Sequence, residues 1–227
     1  MKPLLMGNFD TTDIDTNLVS CLGFILEISK LKSVLRKTYL KNQDRYENSA
    51  EHSWHMILMA ITLQPYANTP INLDKVIKML AVHDLGEIDG GDTYLYAENR
   101  GDNDHEKQCM KRICAIAPKD QAKTIMDLWT EFEASKTPEA KFAQAIDRFQ
   151  PFLYTLQNGG DSWLSNNIPY ELVMAKNAHI EDGSEILWDA YKKLITQAKD
   201  KGFFPARLPD TQPNTTEGDI KEDNDAA

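Results

Sequence analysis

Cysteine is scarce in this chain, and its pattern excludes a class of architectures. Cys21, Cys109 and Cys114 form no C-x-x-C pair, so neither a disulfide-stapled scaffold nor a thiolate zinc site is expected, and free thiols suit a reducing compartment. Long hydrophobic runs are also missing: no apolar stretch approaches the ~20 residues of a spanning helix. Residues Met1 to Gly7 hold one Lys and a few apolar side chains, too little for the h-region of a signal peptide. A cytoplasmic protein without a membrane partner is the expectation. Basic charge is in deficit, with 25 Lys and Arg against 35 Asp and Glu and a net charge of −10. Half of that excess lies in residues 210–227, where Asp210, Glu217, Asp219, Glu222, Asp223 and Asp225 face only Lys221. A body without a basic field is a poor partner for a nucleic-acid polymer, though a small anion gripped by local Arg or Lys fits. Alternating β-branched stretches are absent too, which predicts an all-α fold.

What is present is an ordinary globular composition, 41% hydrophobic and 26% charged over 227 residues, enough for one core. The expected division is a helical domain over 1–204 and an acidic, disordered tail over 205–227, whose Pro, Asn, Thr, Asp and Glu cannot bury enough apolar surface to offset ordering. Ile14, Leu18, Cys21, Leu22, Ile25, Ile28, Leu31 and Leu35 recur at three- and four-residue steps, predicting a first long helix from Asp13 to about Lys37. Asn48 with Glu51 reads as a capping box opening a helix to about Tyr66, apolar nearly all round and therefore central and buried. A third helix starts near Asn72 and runs into His83-Asp84-Leu85-Gly86-Glu87, stopped by Gly90-Gly91. Further helices are expected over 103–116, 118–135 with Pro118 first, 138–157 capped by Thr137, 169–178, and 184–201 with Asp182 and Glu185 as its box. The result is a bundle of roughly eight helices.

Polar residues in apolar stretches are the candidates for chemistry. His83-Asp84 ends the most hydrophobic run, where a buried carboxylate needs a cation, supplied by an Arg, a Lys or a metal. His52 and Asp147 pose the same question on two other apolar helices. Each alone reads as a hydrogen-bonded core histidine and as a salt-bridged acid.

Together they form an ordered set: His52, then His83-Asp84 after 30 intervening residues, then Asp147. With Asn48-Ser49-Ala50-Glu51-His52-Ser53-Trp54, Ala81-Val82-His83-Asp84-Leu85-Gly86-Glu87 and Gly91-Asp92, the sequence over roughly 15–200 resembles the HD-domain superfamily of metal-dependent phosphohydrolases. The similar branch holds bacterial 5'-deoxynucleotidases and their eukaryotic HD-domain relatives. The resemblance implies that His52, His83, Asp84 and Asp147 hold one divalent cation, and that donor set suits Mn, Co, Fe, Ni, Zn or Mg without choosing among them. It implies Glu87 as general base or acid, and continuing the helix would put Glu87 on the same face as His83 and Asp84. Asp92 would be the second carboxylate, and Arg36, with Lys37 as its rival, the grip on substrate phosphate. Arg148 could serve phosphate or tie down a carboxylate.

Only His105 lies between the H-D pair and Asp147 that could add a ligand, which favours one metal over two. Tyr94 and Tyr96 offer either rings to stack on a base or cover for the core. The expected activity is that of a 5'-nucleotidase acting on (deoxy)nucleoside monophosphates in a homodimer. Alternatives are hydrolysis of nucleotide tri- or tetraphosphates or cyclic nucleotides, and a non-catalytic nucleotide- or metal-binding module.

Overall fold

The computed structural model describes residues 9–97 and 103–206. Its body is helical, as the patterning predicts. Helix α1 (Thr16–Ile28) begins where the Asp15 carboxylate accepts from the Leu18 backbone N–H. It stops earlier than expected, in a 3-10 turn over Ser29–Ser33. Leu31 is buried but Leu35 is largely exposed, so the apolar periodicity beyond Leu31 marks no continuous packed stripe. The chain instead forms a hairpin of β1 (Leu35–Leu40) and β2 (Arg45–Asn48), antiparallel, with Tyr39 opposite Tyr46 and Leu40 opposite Arg45. Asp44 turns the chain at φ +53° and its carboxylate accepts from the Tyr39 hydroxyl, an arrangement Asp tolerates because its short side chain bonds locally. This hairpin corrects the long first helix, and it moves Arg36 and Lys37 from a helix end to a strand.

Helix α2 (Ser49–Leu63) carries the expected box: Glu51 N–H donates to Asn48 Oδ1 at 3.0 Å, and Asn48 N–H donates back to Glu51 at 3.3 Å. It is not buried all round. His52, Ser53, Met56, Met59 and Ala60 face inward, whereas Trp54, Leu58 and Ile61 face solvent. Because this cap fixes the start of the helix that carries His52, Asn48→Ala is expected to cost about 1 kcal/mol, read as a lower urea midpoint with an unchanged slope.

Helix α3 (Leu73–Val82) is capped by Asn72. Beyond it the chain tightens instead of continuing as an α-helix, with Leu85, Glu87 and Ile88 N–H groups bonding three residues back to Val82, Asp84 and Leu85. Short α4 (Glu87–Gly90) follows, and Gly91 at φ +74° breaks it, a backbone that favours glycine and redirects the chain at Asp92. Next come α5 (Asn103–Cys114), α6 (Lys119–Ala134), α7 (Pro138–Gln157), α8 (Asp161–Ser165), α9 (Tyr170–Asn177), α10 (Ile180–Gly183) and α11 (Glu185–Asp200). Pro118 is the cap of α6 rather than its first residue. Ser184, not the expected Asp182, caps α11 by accepting from Leu187 N–H.

Helix α7 is the axis. Its Phe142, Ala143, Ile146 and Phe149 pack with Met56 and Ala60 of α2, Met79 and Leu80 of α3, and Tyr191 and Ile195 of α11 in one buried cluster. Gly183 lets α10 lie against this axis, since a Cβ there would stand 2.3 Å from the Lys141 carbonyl oxygen. No helix among the described residues is long and apolar enough to cross a membrane. From residue 207 on, the expected tail lies outside the described residues.

Candidate functional site

Three buried elements bring the candidate ligands together. His52 comes from the first turn of α2, His83 and Asp84 from the tightened turn after α3, and Asp147 from the middle of α7. One donor atom each of His52, His83 and Asp84 lie within 4.8 Å of one another. Asp147 Oδ1 lies 3.0 Å from His52 Nε2 and 3.9 Å from His83 Nε2.

Both imidazoles have their Nδ1 committed to a neutral acceptor. His83 Nδ1–H donates to the Leu80 carbonyl at 3.0 Å. His52 Nδ1–H donates to Gln150 Oε1 at 3.1 Å, and the Gln150 amide is oriented by its own donation to Glu47 Oε1 at 2.7 Å. Each Nε2 then faces carboxylate oxygen, with His52 Nε2 at hydrogen-bond distance from Asp147 Oδ1, 3.0 Å, an arrangement that calls for positive charge on or between the rings, as a proton or as a cation. His83 Nε2 is 2.8 Å from Asp84 Oδ1, yet the contact is too poorly aligned for a hydrogen bond and leaves this buried nitrogen without a partner. Donor chemistry and the orphaned nitrogen both fit a divalent cation held by two imidazoles and two carboxylates.

Electrostatics in the metal-free protein carry the same mark. Burial works against a charged His83, but the carboxylates led by Asp84 outweigh it and lift its pKa to about 9. Burial likewise opposes the Asp147 charge, and Arg148 and the His52 contact overcome it, holding that carboxyl well below its usual range. Glu87 goes the other way: burial first, then the Asp84 charge, pushes it up to about 9. Burial also raises Asp92, against the pull of Arg36.

Arg36 on β1 is the cation among these acids. Its NH1 lies 3.1 Å from Asp84 Oδ2, 3.3 Å from Asp92 Oδ1 and 3.9 Å from Glu87 Oε1, and its Nε lies 3.7 Å from Glu47 Oε2. Glu87 is not placed by a continuous helix. The tightened turn brings it to the cluster, and the Ser49 hydroxyl donates to its Oε2 at 2.6 Å. Asp92 joins through the turn at Gly91. Arg36, Glu87 and Asp92 line, with His83, Asp84 and Asp147, a cleft of about 190 Å³. Lys37 stands apart from the ligand cluster and lines a neighbouring cavity with Tyr94 and Tyr96. His105 also borders the cleft, whereas His55 contacts Gln150 and Tyr154 behind His52.

Sequence reasoning missed Glu47, Ser49 and Gln150, all of which act on the cluster's residues. Gln150 lies three residues after Asp147 and therefore on its face of α7, a usable signal. Glu47 sits in β2, a strand that no alternating pattern announces.

The geometry has counterparts. A family model described as HD domain matches residues 28–188. The chain is 36% identical to a predicted metal-dependent phosphohydrolase from Magnetospirillum magnetotacticum MS-1, whose crystal structure superposes with a TM-score of 0.80 over 84% of this chain and 97% of that one. It is 30% identical to the Schizosaccharomyces pombe 5'-deoxynucleotidase hdd1 over 65% of this chain and 78% of that protein. The human 5'-deoxynucleotidase HDDC2 is 29% identical over 59% of this chain, and the match spans 66% of the human protein's length, just under two thirds.

Proposed function

The chain belongs to the HD domain family, and from that premise we propose that it is a metal-dependent phosphohydrolase, a 5'-nucleotidase that releases phosphate from (deoxy)nucleoside monophosphates. The observation that carries the reading is the convergence of two buried imidazole Nε2 atoms on the Asp84 and Asp147 carboxylates, with Glu87, Asp92 and Arg36 at the same cleft. The relatives named above are metal-dependent phosphohydrolases or 5'-deoxynucleotidases by name, which supports the substrate class.

His52, His83, Asp84 and Asp147 would hold one divalent cation, Mn, Co, Fe, Ni, Zn or Mg. When bound, such a cation supplies Lewis acidity, polarising phosphoryl oxygens and lowering the pKa of water and of neighbouring carboxyls. Ser49 holds the Glu87 carboxyl by its Oε2, so that Oε1 faces the cleft's acids and Arg36, placed to take the proton of the attacking water. Asp92, raised by burial, is suited to give a proton to the leaving 5'-oxygen. Arg36 neutralises the acids in the resting site and offers a guanidinium to the phosphate as substrate enters. Lys37, in the neighbouring cavity, is placed toward the nucleoside side.

The same reading includes a homodimer, supported by Leu18, Ile25 and Leu26 exposed on α1, and a cytoplasmic location, supported by three free cysteines. The excess of 35 Asp and Glu over 25 Lys and Arg argues against a nucleic-acid polymer as partner. The test is phosphate release from a panel of nucleotides with Mn, Co, Mg or Zn. Release from deoxynucleoside monophosphates is the expected result, and no release from any nucleotide with any of the metals would overturn it. Release only from cyclic nucleotides or triphosphates would move the substrate class.

The Gln150 amide gives a further expectation. Gln150→Leu leaves His52 Nδ1–H without its acceptor and Glu47 Oε1 without its donor. Loss of such a supporting contact weakens metal binding by about 10- to 100-fold, measurable by competition with a chelating dye.

A further inference from the structure

Building on the proposed phosphatase reading, we infer that Arg148 is a phosphate-binding residue at the junction of two cavities, a role separate from that of Arg36. The charge inventory sets the problem. Glu47, Asp84, Glu87, Asp92 and Asp147 crowd one small volume, and Arg36 is shared among four of them. An incoming phosphate carries about two negative charges near neutral pH, so its entry beside these acids is helped by a guanidinium with hydrogen-bond donors still free.

Arg148 is the second guanidinium at this site: its charge helps to hold the Asp147 carboxylate, but its hydrogen-bonding capacity is not spent there. It follows Asp147 on α7, yet its NH1 stays 3.7 Å from Asp147 Oδ2, beyond hydrogen-bond distance. Its Nε is buried and has no hydrogen-bond partner among the described residues. Only 17% of the side chain is exposed, so this is not a solvated surface Arg. A buried guanidinium nitrogen left unbonded is costly in a resting protein, and the cost is removed by a ligand that brings acceptor oxygens.

The surroundings show where that ligand lies. Arg148, Arg36, Asp92 and Thr93 line both the cleft with the metal-ligand candidates and the cavity bordered by Tyr94, Tyr96 and Trp163. Arg148 and Tyr96 line the second cavity together. A phosphate placed by Arg148 sits at the mouth between them, with its phosphorus on the ligand side and its ester oxygen toward the aromatic side. Arg148 thereby directs the nucleoside into the second cavity.

The test uses inorganic phosphate titrated calorimetrically into the Mn-loaded protein, which requires no turnover. Arg148→Gln should weaken phosphate binding about 10- to 100-fold, the loss typical of a charge-assisted contact, with Arg148→Lys recovering part of it. Manganese stoichiometry should match wild type, with only a small fall in the thermal midpoint of the loaded protein from losing the Arg148 charge beside Asp147. Unchanged phosphate binding in Arg148→Gln overturns the assignment. So does a parallel loss of manganese, which would mean that Arg148 merely holds Asp147 in place. A raised KM for a nucleotide with unaltered phosphate binding overturns it as well, assigning Arg148 to the sugar or base. If wild type binds phosphate through Arg148 but hydrolyses no nucleotide, the functional reading fails while this one stands.

Discussion

Asp84→Asn is expected to abolish phosphate release, by at least about 10³-fold, together with stoichiometric metal binding. The magnitude follows from losing a charged ligand and with it several kcal/mol of Lewis-acid stabilisation, each 1.36 kcal/mol being tenfold in rate. A second effect separates this position from a surface acid. In the metal-free protein Asp84 is the nearest carboxylate to both Arg36 NH1, at 3.1 Å, and His83 Nε2, at 2.8 Å. Removing its charge takes from both groups their nearest carboxylate, leaving Asp92 to Arg36 at 3.3 Å and Asp147 to His83 at 3.9 Å, a loss of about 1.5–3 kcal/mol. The apoprotein should therefore melt earlier than wild-type apoprotein, and added Mn should rescue wild type but not the variant. Metal analysis with thermal melts, each with and without Mn, checks both halves. Full metal occupancy in the variant would remove Asp84 from the ligand set.

Glu87→Gln is the complementary case, expected to lose catalysis while keeping the metal. The isosteric amide can still meet the Ser49 hydroxyl that now donates to Glu87 Oε2 at 2.6 Å, so the turn from Asp84 to Gly90 should hold its shape. What is lost is a carboxylate able to accept a proton. The expected fall in kcat is about 10²- to 10⁴-fold, with KM within a few-fold of wild type and one metal per chain retained. Without metal, burial and the Asp84 charge hold this carboxyl protonated up to about pH 9, so its competence as a base depends on positive charge nearby. Steady-state kinetics beside metal analysis tests this. A variant with normal kcat would place the proton-accepting role elsewhere, with Asp92 first in line.

The features that could be read along the chain are those with local chemistry. The Asn48–Glu51 box, the helix start near Asn72, the Thr137 cap and the long apolar helices around His52, His83 and Asp147 are formed by neighbouring residues and apolar periodicity, and the structure brings those three residues and Asp84 into one cluster. The hairpin was not legible, because Leu31 and Leu35 continue a helical spacing although only Leu31 is buried. That error hid Glu47, which reaches the centre through Gln150 across 103 positions of sequence. Glu87 was expected to share a helix face with His83. It reaches the site through a tightened turn that no periodicity announces, and Ser49 secures it from 38 residues away. Lys37 differs from Arg36 by a single step, yet the strand leaves Lys37 exposed and turns Arg36 into the acid cluster, as alternation along a strand requires.

The central claim is that one divalent cation at His52, His83, Asp84 and Asp147 makes this chain a nucleotide phosphatase. The direct measurement is phosphate release from a deoxynucleoside monophosphate by protein stripped of metal and then titrated with Mn, with bound metal counted at each point. Activity should be absent at the start, rise in proportion to occupancy and level off at one ion per chain. Release that persists in the stripped protein, or that stays absent at full occupancy, would contradict the account.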